Sequence, residues 1–121
     1  MSGARSELAS DSEGVERELT AFQRNILAIL AEEARYGLAI KRELEEYYGS
    51  EVNHGRLYPN LDSLVELGLV EKSELDKRTN QYTLTEKGRA AVLGQLEWVF
   101  SRYVTEDGRA DELRTLIGSV E

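Results

Sequence analysis

The sequence predicts a mainly α fold with one small β-hairpin, a winged helix-turn-helix. Three observations carry this expectation. Apolar stripes at helical spacing follow one another through residues 15–67. Two short alternating segments then flank the polar turn at residues 76–80. A longer helical stripe starts directly behind them, at Thr85. Helices joined by a short turn, with a hairpin after the third, are the plan of a reading helix flanked by a wing.

Residues 1–13 are rich in Ser, Gly, Glu and Asp, hold few apolar anchors, and read as a mobile tail. From about Val15 the pattern is helical, with Val15, Leu19, Phe22, Ile26, Ile29 and Leu30 three and four apart. Thr20 offers a cap for a shorter version of this helix, and Gly37 an end to it. A second helix is expected from Leu38 to Tyr48, with Gly49 as its stop. A third runs from Asn53 to Leu67, with Leu57, Leu61, Leu64, Val65 and Leu67 as its stripe and Gly68 as its C-cap. Pro59, the only proline, lacks an N–H. It implies a helix that begins near Gly55 or a kinked first turn.

Residues 69–75 and 81–84 read as the two strands of the hairpin. Thr85 caps a fourth helix reaching about Val104, with Glu86 in its first turn and a stripe of Val92, Leu96, Val99, Phe100 and Tyr103. A short last helix, about Ala110 to Ile117, carries Leu113, Leu116 and Ile117. The chain therefore divides into a tail (1–13), a winged-helix domain (14–85) and a C-terminal helical segment (86–121).

Composition excludes much else. The 121 residues suit one domain. There is no cysteine and a single histidine, His54, so disulfides, thiolate chemistry and His-based metal clusters are excluded. No Gly-rich phosphate loop and no catalytic arrangement can be built, so no enzyme, cofactor or metal is expected. No apolar run approaches a membrane span and no signal pattern opens the chain, so a cytoplasmic protein is expected. The net charge of −8 is awkward for a nucleic-acid binder. Either the chain does not bind DNA, or it works in high salt and carries acid for solubility. Eleven arginines against four lysines and abundant Asp and Glu favour the second. An ordinary acidic mesophilic protein stays open.

The informative stretch is residues 53–61. Residues at the start of a helix-turn-helix reading helix meet base edges. Arg pairs with guanine and Asn with adenine through two hydrogen bonds. Asn53, His54, Arg56 and Asn60 are of the right kinds, clustered in the first two turns. Gly55 would permit close approach to the duplex, and the free N–H groups of the helix start favour phosphate. His54 has three roles open to it: DNA contact, helix cap or solvent. Tyr58 has two, a phosphate contact or packing. Lys72 is a phosphate candidate on the strand leading to the wing. Lys77, Arg78, Thr79 and Asn80 at the hairpin tip suit phosphate or the minor groove. Trp98, Phe100 and Tyr103 could line a ligand pocket, but core or dimer packing is the better reading.

From Tyr36 to Gly88 the sequence resembles the PadR family of transcription regulators. The resemblance rests on Tyr36-Gly37, on Gly55-Arg56-Leu57-Tyr58-Pro59-Asn60-Leu61, on Leu67-Gly68-Leu69-Val70 and on Tyr82-Thr83-Leu84-Thr85-Glu86-Lys87-Gly88. With the acidic composition, the likeness is to a haloarchaeal member. It implies a homodimeric repressor or activator of double-stranded DNA. The N-terminal and C-terminal helices would form the dimer interface, here through Leu19, Phe22, Val92, Leu96, Val99, Phe100 and Tyr103. It places Asn53, Gly55, Arg56, Tyr58 and the wing around Lys77 and Asn80 on DNA. Two reading helices would enter major grooves roughly 34 Å apart on a pseudo-palindromic operator. Salt ions would bridge acidic side chains and phosphates. The wing is less basic than is usual in the family, and only about thirty residues follow Gly88. A winged-helix adaptor that docks on proteins is the alternative. A stress-responsive role stays open; without cysteine, oxidant sensing could not run through a thiol.

Overall fold

The computed structural model describes residues 11–76 and 79–120. Among them are five α-helices and a small sheet. A 3-10 turn (Val15–Glu18) precedes helix α1 (Ala21–Glu32). The helix expected from Val15 is thus split, and the shorter version capped by Thr20 is the one that forms. Leu19 and Thr20 are extended. Thr20 Oγ1 accepts from the Gln23 N–H (3.1 Å), and Gln23 Oε1 accepts from the Thr20 N–H (3.0 Å). This reciprocal capping box fixes where α1 begins.

α1 stops at Glu32, short of Gly37, because Arg35 and Tyr36 leave to form a strand, β1 (Arg35–Tyr36). β1 pairs antiparallel with β3 (Asn80–Leu84), which also pairs with β2 (Val70–Glu74), so the order is β1-β3-β2. The hairpin expected from alternation therefore gains a third strand. The Arg35 guanidinium binds the Glu32 carboxylate and lies 3.6 Å from Glu33 and 3.8 Å from Glu43, tying α1 and β1 to the next helix.

Gly37 opens helix α2 (Gly37–Tyr48) rather than ending α1. Gly49 closes α2 in the left-handed region (φ 70°), where a side chain would be strained. Helix α3 (His54–Glu66) follows the short turn, with Asn53 as its N-cap. Helix α4 (Glu86–Tyr103) follows the hairpin, and helix α5 (Asp107–Ser119) ends the described chain.

Ile26, Leu27, Ile40, Leu44, Leu57, Leu61 and Leu64 are buried where α1, α2 and α3 meet. Each such side chain contributes about 1.5–3 kcal/mol through burial. Tyr82 of β3 closes this core over the sheet; burial, then Asp62 and Tyr58, raise its phenol above the ordinary value. The junction of β2 and α4 is tight. Thr85 donates through its N–H to Leu69 O (3.1 Å) and through its hydroxyl to Gly68 O (2.6 Å). A Cβ on Gly88 would stand 2.1 Å from Leu69 O, so only glycine allows this approach.

Candidate nucleic-acid interface

The turn between α2 and α3 is held from both sides. Val52 is buried and anchors it to the core. Glu45, on α2, accepts from the Val52 N–H (3.0 Å) and from Lys41 Nζ (2.8 Å) through the same oxygen. The Lys41 hydrogen bond, then that of Val52, hold the Glu45 carboxyl below the usual carboxylate range. Glu45 thus fixes how α3 leaves α2.

The start of α3 is exposed. Asn53, His54, Gly55 and Arg56 all face solvent, and no acidic residue lies in the first turn. In a chain of net charge −8, that gap leaves the positive helix end unopposed. A Cβ on Gly55 would meet only the cap oxygen of Asn53, at 3.4 Å. The surface there is open to a large partner.

The six α3 candidates share two turns, but their side chains point to different tasks. Asn53 Oδ1 accepts from the Arg56 N–H (2.8 Å) and caps the helix. His54 stacks on Tyr58 with rings 5.5 Å apart and 3° from parallel. Tyr58 is half-buried against the core, its hydroxyl so close to Gly37 that a Cβ there would lie 2.6 Å away. Its ring packs against the core. Asn60 is turned inward: its Nδ2 donates to Arg56 O (2.7 Å) and its Oδ1 accepts from Gln23 Nε2 (3.1 Å). Its amide braces the Arg56 backbone. Pro59 sits inside α3, not at its start.

Arg56 is the outward group that the fold arranges most closely. Its guanidinium carbon lies 4.0 Å from the Phe22 ring centre and 5.7 Å from that of Tyr48. Neither ring stood among the candidates for this role. Phe22 lay in an apolar stripe, and nothing local marked its face as a seat for a cation.

The wing candidates among the described residues lie on or beside the sheet. Lys72 is exposed on β2, opposite Tyr82 in register. Asn80 begins β3, and Thr79 accepts through its carbonyl from the Leu75 N–H (2.9 Å). Lys77 and Arg78 lie outside the described residues, as does most of the expected tail. No hydrogen bond, ion pair or ring contact among the described residues joins Lys72, Thr79 or Asn80 to the α3 start.

The dimer candidates separate into two groups. Leu19 and Phe22 are buried in the protomer's own core, 6% and 4% exposed, although Leu19 also lines a groove with Val92 and Leu96. Their stripe faces inward because α1 packs against α2, α3 and α4 at once. Val92 and Phe100 are half-buried, whereas Leu96, Val99 and Tyr103 stand exposed along α4. Tyr103 donates its hydroxyl to Glu112 of α5; that bond, with burial second, raises the phenol above its usual value.

The sequence matches the transcriptional regulator PadR-like family over residues 26–93. The chain belongs to the PadR-like family. Among solved structures, RosR of H. salinarum grown from NaBr is 66% identical, with a TM-score of 0.82, covering 85% of this chain and 94% of that one. A complex structure of hsRosR, S1, is 65% identical (TM-score 0.83; 86% and 93% covered). Another, S4, is 62% identical (TM-score 0.84; 93% and 95% covered). Comparison with curated proteins finds no match. A PadR-like chain is a transcription regulator, not an enzyme, and the winged-helix fold expected from the sequence is the fold of these relatives. No described helix is long and apolar enough to cross a membrane.

Proposed function

We propose that this PadR-like regulator binds a pseudo-palindromic operator as a homodimer, with the start of α3 in the major groove. The observation that carries the reading is the exposed run Asn53, His54, Gly55 and Arg56 at an acid-free helix start. Arg56 and His54 face the DNA, and Lys72 with the wing tip, Lys77, Arg78, Thr79 and Asn80, lies along the backbone. Asn53 and Asn60 hold Arg56 in place, and the packed ring of Tyr58 supports His54.

The dimer reading rests on α4 and α5. α5 buries none of its residues within the protomer, and Leu116 and Ile117 are 60% and 51% exposed. A lone helix of this length is marginal in water without an apolar face packed on something. Leu96, Val99 and Tyr103 of α4 offer a continuous exposed stripe beside it. A second copy covers both, and residues 86–121 are the dimerisation segment.

The likeness to RosR of H. salinarum and the −8 charge support work at high salt in the cytoplasm. Salt ions then bridge surface carboxylates to phosphates, and hydrogen bonds and shape carry the affinity. A stress signal, oxidative stress included, reaches the chain by a route other than sulfur chemistry. The test is binding of a duplex selected by the protein from random-sequence DNA, across potassium chloride concentrations. Binding that survives at molar salt is expected. Complete loss there rejects the high-salt reading, and DNA affinity indifferent to Arg56→Ala favours an adaptor.

A further inference from the structure

We propose that Tyr48 is a positioning residue for DNA reading: with Phe22 it forms a shelf that holds the Arg56 guanidinium with its N–H edges toward DNA. This rests on the role given to Arg56 above.

Three helices meet at the shelf. Phe22 and Asn25 come from α1, Tyr48 from the last turn of α2, and Arg56 from the first turn of α3. The Phe22 and Tyr48 rings are stacked, 6.0 Å apart and 23° from parallel. Asn25 Nδ2 donates to the Tyr48 hydroxyl (2.9 Å), and Tyr47 packs edge-on against the Tyr48 ring at 5.1 Å and 80°. Tyr48 is therefore fixed through its hydroxyl, its face and its edge, although it lies at a helix end.

A guanidinium whose carbon sits 4.0 Å from a ring centre is held by the ring rather than by an acceptor, which leaves its N–H donors available. Among the described residues, the Arg56 side chain donates no hydrogen bond to the protein. Its backbone is pinned as well, by Asn53 at the N–H and by Asn60 at the carbonyl. An arginine already seated loses less rotamer freedom on binding than one that samples solvent. The fork it presents matches a pair of acceptors. In the major groove these are guanine O6 and N7, and on the backbone two phosphate oxygens.

The test pairs order with affinity. Relaxation of the Arg56 Nε–Hε signal is measured in the free protein. Binding is measured on the selected duplex at fixed salt. The variants are Tyr48→Leu, Tyr48→Phe, Arg56→Ala and the Tyr48→Leu/Arg56→Ala double variant, each checked for folding by thermal melting. Tyr48→Leu is expected to loosen Arg56 and weaken binding about three- to tenfold. In the Arg56→Ala background the same change should cost less than about twofold, since the residue it positions is gone. Tyr48→Phe, which keeps the ring and frees it from Asn25, should loosen Arg56 by a smaller amount and carries the test if Tyr48→Leu does not fold.

Equal losses in both backgrounds, or an Arg56 signal as rigid in the Tyr48 variants as in wild type, overturn the proposal. An Arg56→Ala protein that binds like wild type removes Arg56 from the DNA reading, and the shelf's role falls with it, whatever the relaxation data give. A loss confined to sites with guanine at one position supports the shelf and makes a base its target. A loss uniform over sequences, with the salt slope reduced by about one, supports it with a phosphate as target.

Discussion

Arg56 and Glu45 do their work through quite different physics. Arg56→Ala should weaken binding to the selected operator by about 1–3 kcal/mol, roughly 5- to 150-fold, with the dimer intact. Fluorescence anisotropy beside sedimentation checks both halves of that statement. Glu45 matters to the angle of α3 rather than to DNA itself. Its carboxyl has a lower pKa folded than unfolded, where it lies near about 4.3. Its stabilising contribution is therefore complete above that value and disappears as pH falls through the lower, folded one. Denaturant titrations from neutral pH to about pH 3 should find wild type more stable than Glu45→Gln at neutral pH, with the gap closing in acid. An unchanging gap would mean that the charge is not what counts. At this scale the sequence was half legible. Residue types marked where the site lies, since forked polar side chains at a helix start are visible in one dimension. What each one touches was not. Asn60 and Gln23 are 37 positions apart, on different helices, and no spacing rule links them.

Elements were read well where the chain carries its own punctuation. Thr20, Gly49, Gly68 and Thr85 act locally, and each stands where an element starts or stops. β1 was missed because a strand of two residues has no period to detect. It exists only because β3 offers Tyr82 and Gln81 as partners. The overlong first helix has a related cause: an apolar stripe runs through the 3-10 turn without interruption, and only the capping box divides it. Removing that box by Thr20→Ala should cost about 1 kcal/mol of stability in thermal or urea unfolding. Gly88→Ala should cost more, about 1–3 kcal/mol or above, because its Cβ meets a backbone carbonyl that cannot swing aside. A melting temperature equal to wild type for Gly88→Ala would contradict the tight junction.

The whole molecule exposes apolar side chains along both C-terminal helices. Val99→Asp should place a charge in the middle of the proposed interface and shift sedimentation from dimer toward monomer, with operator affinity falling alongside. A dimer undisturbed by that change would move the interface elsewhere. Assembly was the least legible level, because a stripe on a helix does not say whether its own chain or another copy covers it. Phe22 and Val99 look alike in sequence, yet one is 4% and the other 41% exposed. The bonds from Thr85 to Gly68 and Leu69 bear on this level too. They tie the start of α4 to the two residues just past the C-terminal end of α3. In the proposed dimer each reading helix is then the long arm of a rigid lever whose fulcrum lies where the two α4 helices cross. A turn of about 5° there carries a reading head roughly 17 Å from the axis by about 1.5 Å. That is enough to spoil a hydrogen bond, so the operator's half-site spacing acts as a protractor for the angle between two helices that never touch it.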